Sequence, residues 1–174
     1  MSKQATAKKV SESKTIMTEM VMPNDTNPMG NLMGGNLLRW MDIAGGICAG
    51  KHCEASVVTA SVDHVSFQRP IRVGEVITLE ASITRAYNTS VEIFVEVFAC
   101  DIKGHNARRC NSAYLTFVAL DDDSAKPIAV PPVLPLTEIE QKRFDESPQR
   151  RELRLMLSGR LKPEHAIEIK SLFS

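Results

Sequence analysis

Pro23-Asn24-Asp25-Thr26-Asn27-Pro28-Met29-Gly30-Asn31-Leu32-Met33-Gly34-Gly35 runs directly into Asn36-Leu37-Leu38-Arg39-Trp40-Met41-Asp42-Ile43-Ala44-Gly45-Gly46. The first stretch is built of turn residues, each with its own steric or hydrogen-bonding reason for bending the chain. The second has Leu37, Met41, Ala44 and Cys48 at helical spacing, which predicts a helix over residues 35–53. Gly45, Gly46 and Gly50 are poor helix formers, each about 1 kcal/mol worse than alanine. Their presence implies that a sheet or a ligand lies very close to this helix.

The segments around the helix alternate with period two. Residues 15–22 read as a short strand. Residues 56–68, 75–87, 90–101 and 110–120 read as four more, with Ile77, Leu79, Ala81 and Ile83 on one face of the second and Val91, Ile93, Val95 and Val97 on one face of the third. Arg69-Pro70 and Val73-Gly74 mark the link between the first two of these four strands. Strand, helix and four successive strands predict an α+β fold, in which one long central helix is wrapped by a mainly antiparallel sheet whose consecutive strands pair as a meander. After a proline-rich connector, Thr137 and Glu140 form a capping-box pattern, and Leu153, Met156, Leu157 and Leu161 mark one side of a charged helix. The expected division is a flexible N-terminus (1–14), a main domain (15–122) and a connector with a C-terminal helical arm (123–174).

At 174 residues the chain has room for one domain and an extra segment. Lys+Arg and Asp+Glu are both 21, so the balanced charge argues against a general nucleic-acid or membrane-surface binder. No apolar run has the length of a membrane span, and residues 1–10 do not read as a secretory signal. Cys48, Cys53, Cys100 and Cys110 have no zinc-type spacing and are expected to be reduced thiols in a cytoplasmic protein.

Asp42 is the residue hardest to explain as packing. Its neighbours on the helical wheel are Gly35, Leu38, Arg39, Gly45, Gly46 and Ala49, too apolar a set for a solvated face. An ion pair with Arg39 is the structural explanation. A half-buried carboxylate poised to activate water or attack a carbonyl is the functional one. The free N–H groups at the helix start near Gly34 and Gly35 form a candidate oxyanion site. Asn27, in the preceding loop, is a candidate for orienting water or a carbonyl, within one chain or across a subunit boundary. Arg69, Arg72, Lys103, Arg108, Arg109 and Ser90 are polar or cationic residues near strand ends.

The run from Pro23 to Gly46, followed by Val58-Thr59-Ala60-Ser61-Val62-Asp63, Phe67, Pro70-Ile71 and Gly74-Glu75, resembles the hotdog-fold acyl-CoA thioesterases, and most of all their cytosolic acyl-CoA hydrolase branch. The resemblance covers residues 15–120. It implies hydrolysis of fatty acyl-CoA to fatty acid and CoA, without metal or cofactor, coenzyme A being part of substrate and product. It also implies a homodimer with two equivalent sites at the pairing of two domains, assembling further into a trimer of dimers. Asp42, Asn27 and Gly35 take the catalytic roles, and Gly34, Arg69, Ser90 and Arg108 those of substrate and CoA binding. Two other readings on the same fold are a non-catalytic acyl-CoA-binding regulator and a hydratase or dehydratase, which would need a histidine such as His52 or His64.

Overall fold

The computed structural model describes residues 6–171 apart from His64, Ser66 and Gln68. The chain divides into two compact units, Met1–Leu134 and Pro135–Ser174.

The first unit opens with β1 (Lys8–Lys9) and the single turn α1 (Val10–Ser13), followed by β2 (Thr15–Met20), the helix α2 (Gly34–Cys53), β3 (Ser56–Asp63), β4 (Val76–Ala86), β5 (Ser90–Cys100), β6 (Arg108–Leu120) and the two-residue β7 (Val133–Leu134). Five strands make one antiparallel sheet in the order β2-β4-β5-β6-β3. The alternation seen in the sequence puts Ile77, Leu79, Ala81 and Ile83 of β4, Val91, Ile93, Val95 and Val97 of β5, and Leu115 and Phe117 of β6 in the core. α2 packs on this inward face through Leu37, Trp40, Met41, Ala44 and Cys48, all buried. Burial pushes the Cys48 thiol up to about 12, so it is an inert core residue.

Three expectations need correcting. β3 does not pair with β4 as a meander would require. The link 64–75 carries Pro70 and a left-handed Gly74, is too long for a hairpin, and takes the chain across the sheet, so β3 lies at the far edge beside β6. Residues 8–14 are part of the fold rather than a flexible terminus. Val10 and Ser13 are buried, β1 pairs in parallel with β7, and Lys8 Nζ donates to the His52 carbonyl at 2.9 Å and meets Glu54 Oε1 at 2.6 Å at the C-terminal end of α2. The first unit therefore also keeps the connector as far as Leu134, beyond the expected boundary at 122.

The second unit contains α3 (Glu138–Leu157) and α4 (Ile167–Lys170). Thr137 and Glu140 close the capping box at the start of α3, which continues through Pro148 as one helix. The Glu152 carboxylate accepts from the backbone N–H groups of Ile167 (3.1 Å) and Ile169 (3.0 Å), joining α3 to α4.

β6 explains one glycine of α2, Gly45. A Cβ on Gly45 would stand 3.0 and 3.1 Å from the ring of Phe117, whereas one on Gly46 would make only an ordinary contact at 3.6 Å. Gly45→Val is expected to cost about 1–3 kcal/mol through overpacking. Gly46→Ala should be neutral or gain up to about 1 kcal/mol from helix propensity. Denaturant unfolding of the two variants checks this difference.

Candidate active site

Asp42 lies two turns into α2 and is half-buried. Its Oδ1 accepts a 2.6 Å hydrogen bond from the hydroxyl of Thr59 on β3. Oδ2 has no hydrogen-bond partner among the described residues, and no ion pair with Arg39 forms. Thr59 reaches the carboxylate because it is in register with Phe117, whose side chain faces α2, and because a β-bulge follows between Thr59 and Ser61. Such a bulge re-aims side chains at a sheet edge. The site thus includes a residue that sequence reasoning gave no role. A threonine on an alternating strand has no local mark, and only the pairing of β3 with β6 reveals it.

The loop before α2 is a small built structure. Thr26 bridges Leu32, Asn27 N–H donates to Asn31 O (2.8 Å), and Gly30, with φ +72°, donates to Asn27 O (2.9 Å). Asn27 Oδ1 accepts from the N–H groups of Met29 (3.0 Å) and Asn31 (3.2 Å). Two donors on one oxygen fix the orientation of the amide. They leave Nδ2 as the group with no partner among the described residues. Asn27 therefore presents a donor.

α2 begins without a cap. Met33 stands at the N-cap, makes no side-chain capping bond, and no acidic residue lies in the first turn. The first bond of the helix is Leu37 N–H to Met33 O at 3.1 Å. The N–H groups of Gly34, Gly35 and Asn36 precede it and are the orphan donors of the helix start. The two glycines have different roles. A Cβ on Gly34 would meet the Phe67 ring at 2.9 Å, so that space is filled by the protein, whereas the space beside Gly35 is open.

The remaining expected residues separate. Arg69 is exposed, has no hydrogen-bond or ion-pair partner among the described residues, and lines a pocket with Leu32, Gly34, Leu37, Phe67, Pro70 and Ile71. Arg108 is not a free cation. Its Nη1 and Nη2 grip Glu75 Oε1 and Oε2 at 2.7 and 2.8 Å, and Nη2 also donates to Pro70 O at 3.0 Å. The guanidinium beside it holds the Glu75 carboxyl below the usual range. Ser90 is in register with Val118, which is in register with Val58, on the sheet face opposite Phe117, so this chain does not bring it to Asp42. His52 is fully buried, and its Nε2–H donates to Pro131 O at 2.9 Å, tying α2 to the connector. Burial lowers its pKa, so it is neutral and structural. His64 lies outside the described residues. Among the described residues no cluster of His, Cys, Asp or Glu has the arrangement to hold a metal ion.

The sequence, and the long helix wrapped by an antiparallel sheet, match a known group of enzymes. Residues 29–103 match the family model described as thioesterase superfamily. The acyl-CoA thioester hydrolase YkhA of Bacillus subtilis, itself described as uncharacterized, is 38% identical over 80% of this chain and 80% of its own length. The chain belongs to the hotdog-fold acyl-CoA thioesterases. An acyl-CoA hydrolase from Staphylococcus aureus, solved in complex with butyryl coenzyme A, coenzyme A and coenzyme A disulfide, is 37% identical with a TM-score of 0.81, over 95% of this chain and 99% of that one. Solved structures of that hydrolase include mutants in which one aspartate, one threonine and one asparagine are each replaced by alanine. A hexameric acyl-CoA thioesterase in its apo form is 36% identical with a TM-score of 0.84, over 88% of this chain and 97% of that one. This chain is accordingly an enzyme that hydrolyses acyl-CoA thioesters.

For the thioesterase, Thr59→Val removes the hydroxyl at nearly constant shape and is expected to lower kcat about ten- to a hundredfold by letting Asp42 drift. Thr59→Ser should retain most of the rate. Steady-state release of CoA thiol measures both. The Arg108–Glu75 pair has its own pH signature. Because the folded pKa of Glu75 is depressed, its stabilisation is fully present above the ordinary carboxylate range and is lost as pH falls through the folded value. Glu75→Gln should therefore destabilise at pH 7 by about 1–3 kcal/mol. The gap to wild type should close in acid, as read from denaturation midpoints across pH.

Proposed function

We propose that the thioesterase hydrolyses fatty acyl-CoA at sites shared between two chains, Asn27 and the Gly35 amide coming from one and Asp42 from the other. The observation that carries this is where Asp42 is held. Its hydrogen-bond partner Thr59 lies on β3, an edge strand with no neighbour on its outer side among the described residues, and Val58 and Val62 of that strand are 48% and 44% exposed. An open edge of this length is a template for pairing with another chain. Distance along α2 supports the same reading. Seven residues separate Gly35 from Asp42, which is about 10 Å of helix. One chain's helix-start amides and its own carboxylate are too far apart to touch one carbonyl group directly, and only a nearly straight relay through water would join them. Two chains joined through β3 remove that conflict and give two equivalent sites per dimer.

In this site the acyl oxygen takes hydrogen bonds from the Gly35 N–H and Asn27 Nδ2. Asp42, with Oδ1 held by Thr59, draws a proton from water through Oδ2 as the water oxygen attacks the acyl carbon. The tetrahedral oxyanion forms against the amides. The carbon–sulfur bond then breaks, CoA leaves as a thiolate that takes up a proton, and the fatty acid remains. No metal or cofactor is required by these steps. Arg69 keeps a role toward an anionic part of coenzyme A only if the assembly brings its guanidinium to that end of the substrate. Ser90 keeps a role toward CoA only if the assembly brings it to the site. The same residue types, Asp, Thr and Asn, were replaced in the S. aureus hydrolase. That solved relatives include a hexamer supports dimers assembling in threes. We place the enzyme in the cytoplasm, where its four cysteines stay reduced.

Asp42→Ala and Asn27→Ala are each expected to lower CoA release from acyl-CoA by a hundredfold or more, the typical effect of such groups being about 10²–10⁴. Mixing the two dead variants after dissociation and reassociation decides whether the site is shared. A mixed dimer has one site with both residues intact, so activity should return to about a quarter of wild type. No recovery, with mixed dimers demonstrated by tagged pull-down, would refute the shared site.

A further inference from the structure

A pocket of about 460 Å³ opens beside the start of α2, lined by Leu32, Leu37, Phe67, Pro70, Ile71 and Arg69 together with Gly34. Its size is that of a small-molecule site. Two features of its wall call for explanation. Phe67 is a large aromatic left 56% exposed on a loop, and its ring tip occupies the space that a side chain on Gly34 would need, 2.9 Å from an ideal Cβ. The wall also offers hydrocarbon almost throughout. Its one charged residue, Arg69, can only donate hydrogen bonds and can lay its methylene stem along the wall with the guanidinium in water.

We propose that this pocket holds the acyl chain of the substrate and that Phe67 sets the chain length accepted there. The inference rests on the thioesterase reading and deepens it. The oxyanion donor is the amide of Gly35, and the pocket begins at its neighbour Gly34, so what enters it is the part of the substrate bonded to the reacting carbon. Two groups are bonded there, the acyl chain and the sulfur of the pantetheine arm. The pantetheine arm carries amide N–H donors that need acceptors, and no side chain of this wall accepts a hydrogen bond. An alkyl chain needs none and gains from leaving water with every methylene. Gly34 is required because any side chain there would push the ring of Phe67 across the pocket or out of it. Phe67 is thus a specificity-determining wall, distinct from the groups that act on the carbonyl.

The test is the ratio of kcat/KM for dodecanoyl-CoA to that for butyryl-CoA in wild type, Phe67→Ala and Phe67→Trp, each variant checked for native melting and oligomer size. Shortening the wall residue should raise the ratio about tenfold or more, and enlarging it should lower the ratio by as much, the scale on which one hydrophobic pocket discriminates. Opposite shifts from two substitutions at one position are not what general loosening of the loop gives. The same ratio in all three proteins overturns the inference while leaving the thioesterase reading intact. If wild type turns over no acyl-CoA, that reading falls instead, and calorimetric affinity for the same acyl-CoA series still decides the pocket. A chain length at which affinity stops rising, displaced in opposite directions by the two variants, supports it; an identical dependence in all three refutes it. Should Phe67→Ala fail to fold, Phe67→Leu replaces it with the same expected sign.

Discussion

The close approach of α2 to β6, set by the missing side chain of Gly45, is the constraint on which the site depends. Gly45 stands one turn beyond Asp42 on the same helix face, and Phe117 lies beside Thr59 across the β6–β3 ladder. The contact that seats the helix on the sheet and the hydrogen bond that holds the carboxylate are therefore adjacent. A helix lifted from the sheet by one methyl group would carry Asp42 away from the Thr59 hydroxyl, because a bond of 2.6 Å has little slack. Packing and chemistry are joined at this point. The glycine that weakens α2 by helix propensity is what allows its carboxylate to be aimed.

The opposite end of α2 has been kept polar by omission. A Ser, Thr, Asp or Asn at the N-cap would add about 1 kcal/mol to the helix by bonding one of its free amides. Met33 stands there instead, and the first turn holds no acid. Oδ1 of Asn27, in the loop before the helix, is occupied by the backbone N–H groups of Met29 and Asn31, which leaves Nδ2 as the donor side of that amide. A helix start with unbonded N–H groups and a positive dipole end, accompanied by a fixed amide donor, is preorganised for developing negative charge.

Much of this was legible in the sequence, for physical reasons that differ by element. α2 and the strands carry strong periodicity, and Asp42 stood out because its helical neighbours are small and apolar. Asn27 and the helix start were marked by loop and glycine chemistry. Contacts that span long separations were not legible. Arg108 looks like a spare cation until Glu75, 33 residues away, is seen gripping both of its Nη atoms. Thr59 carries no mark in the sequence until the edge position of β3 and its bulge bring its hydroxyl to Asp42. The placement of β3 itself failed for the same reason, since a long link carries no signal of which edge it reaches. Gly34 and Gly35 look equivalent in sequence, and only the ring of Phe67 separates them.

In the proposed shared site, the distance between donors and acid is what the second chain makes up for. A carboxylate within reach of the α2 amides of its own chain would bond to them, as capping acids do, and would neutralise the charge meant for the oxyanion. Placing Asp42 two turns down the helix prevents this, at about 10 Å from Gly35 by helical rise. The same separation keeps the two from meeting at one carbonyl. The proposed mechanism makes two demands at once, that the acid stay off the amides and that both act on the same carbon. Under the proposed pairing through the open edge of β3, the partner's carboxylate, held by its own Thr59, would face the carbonyl from the other side.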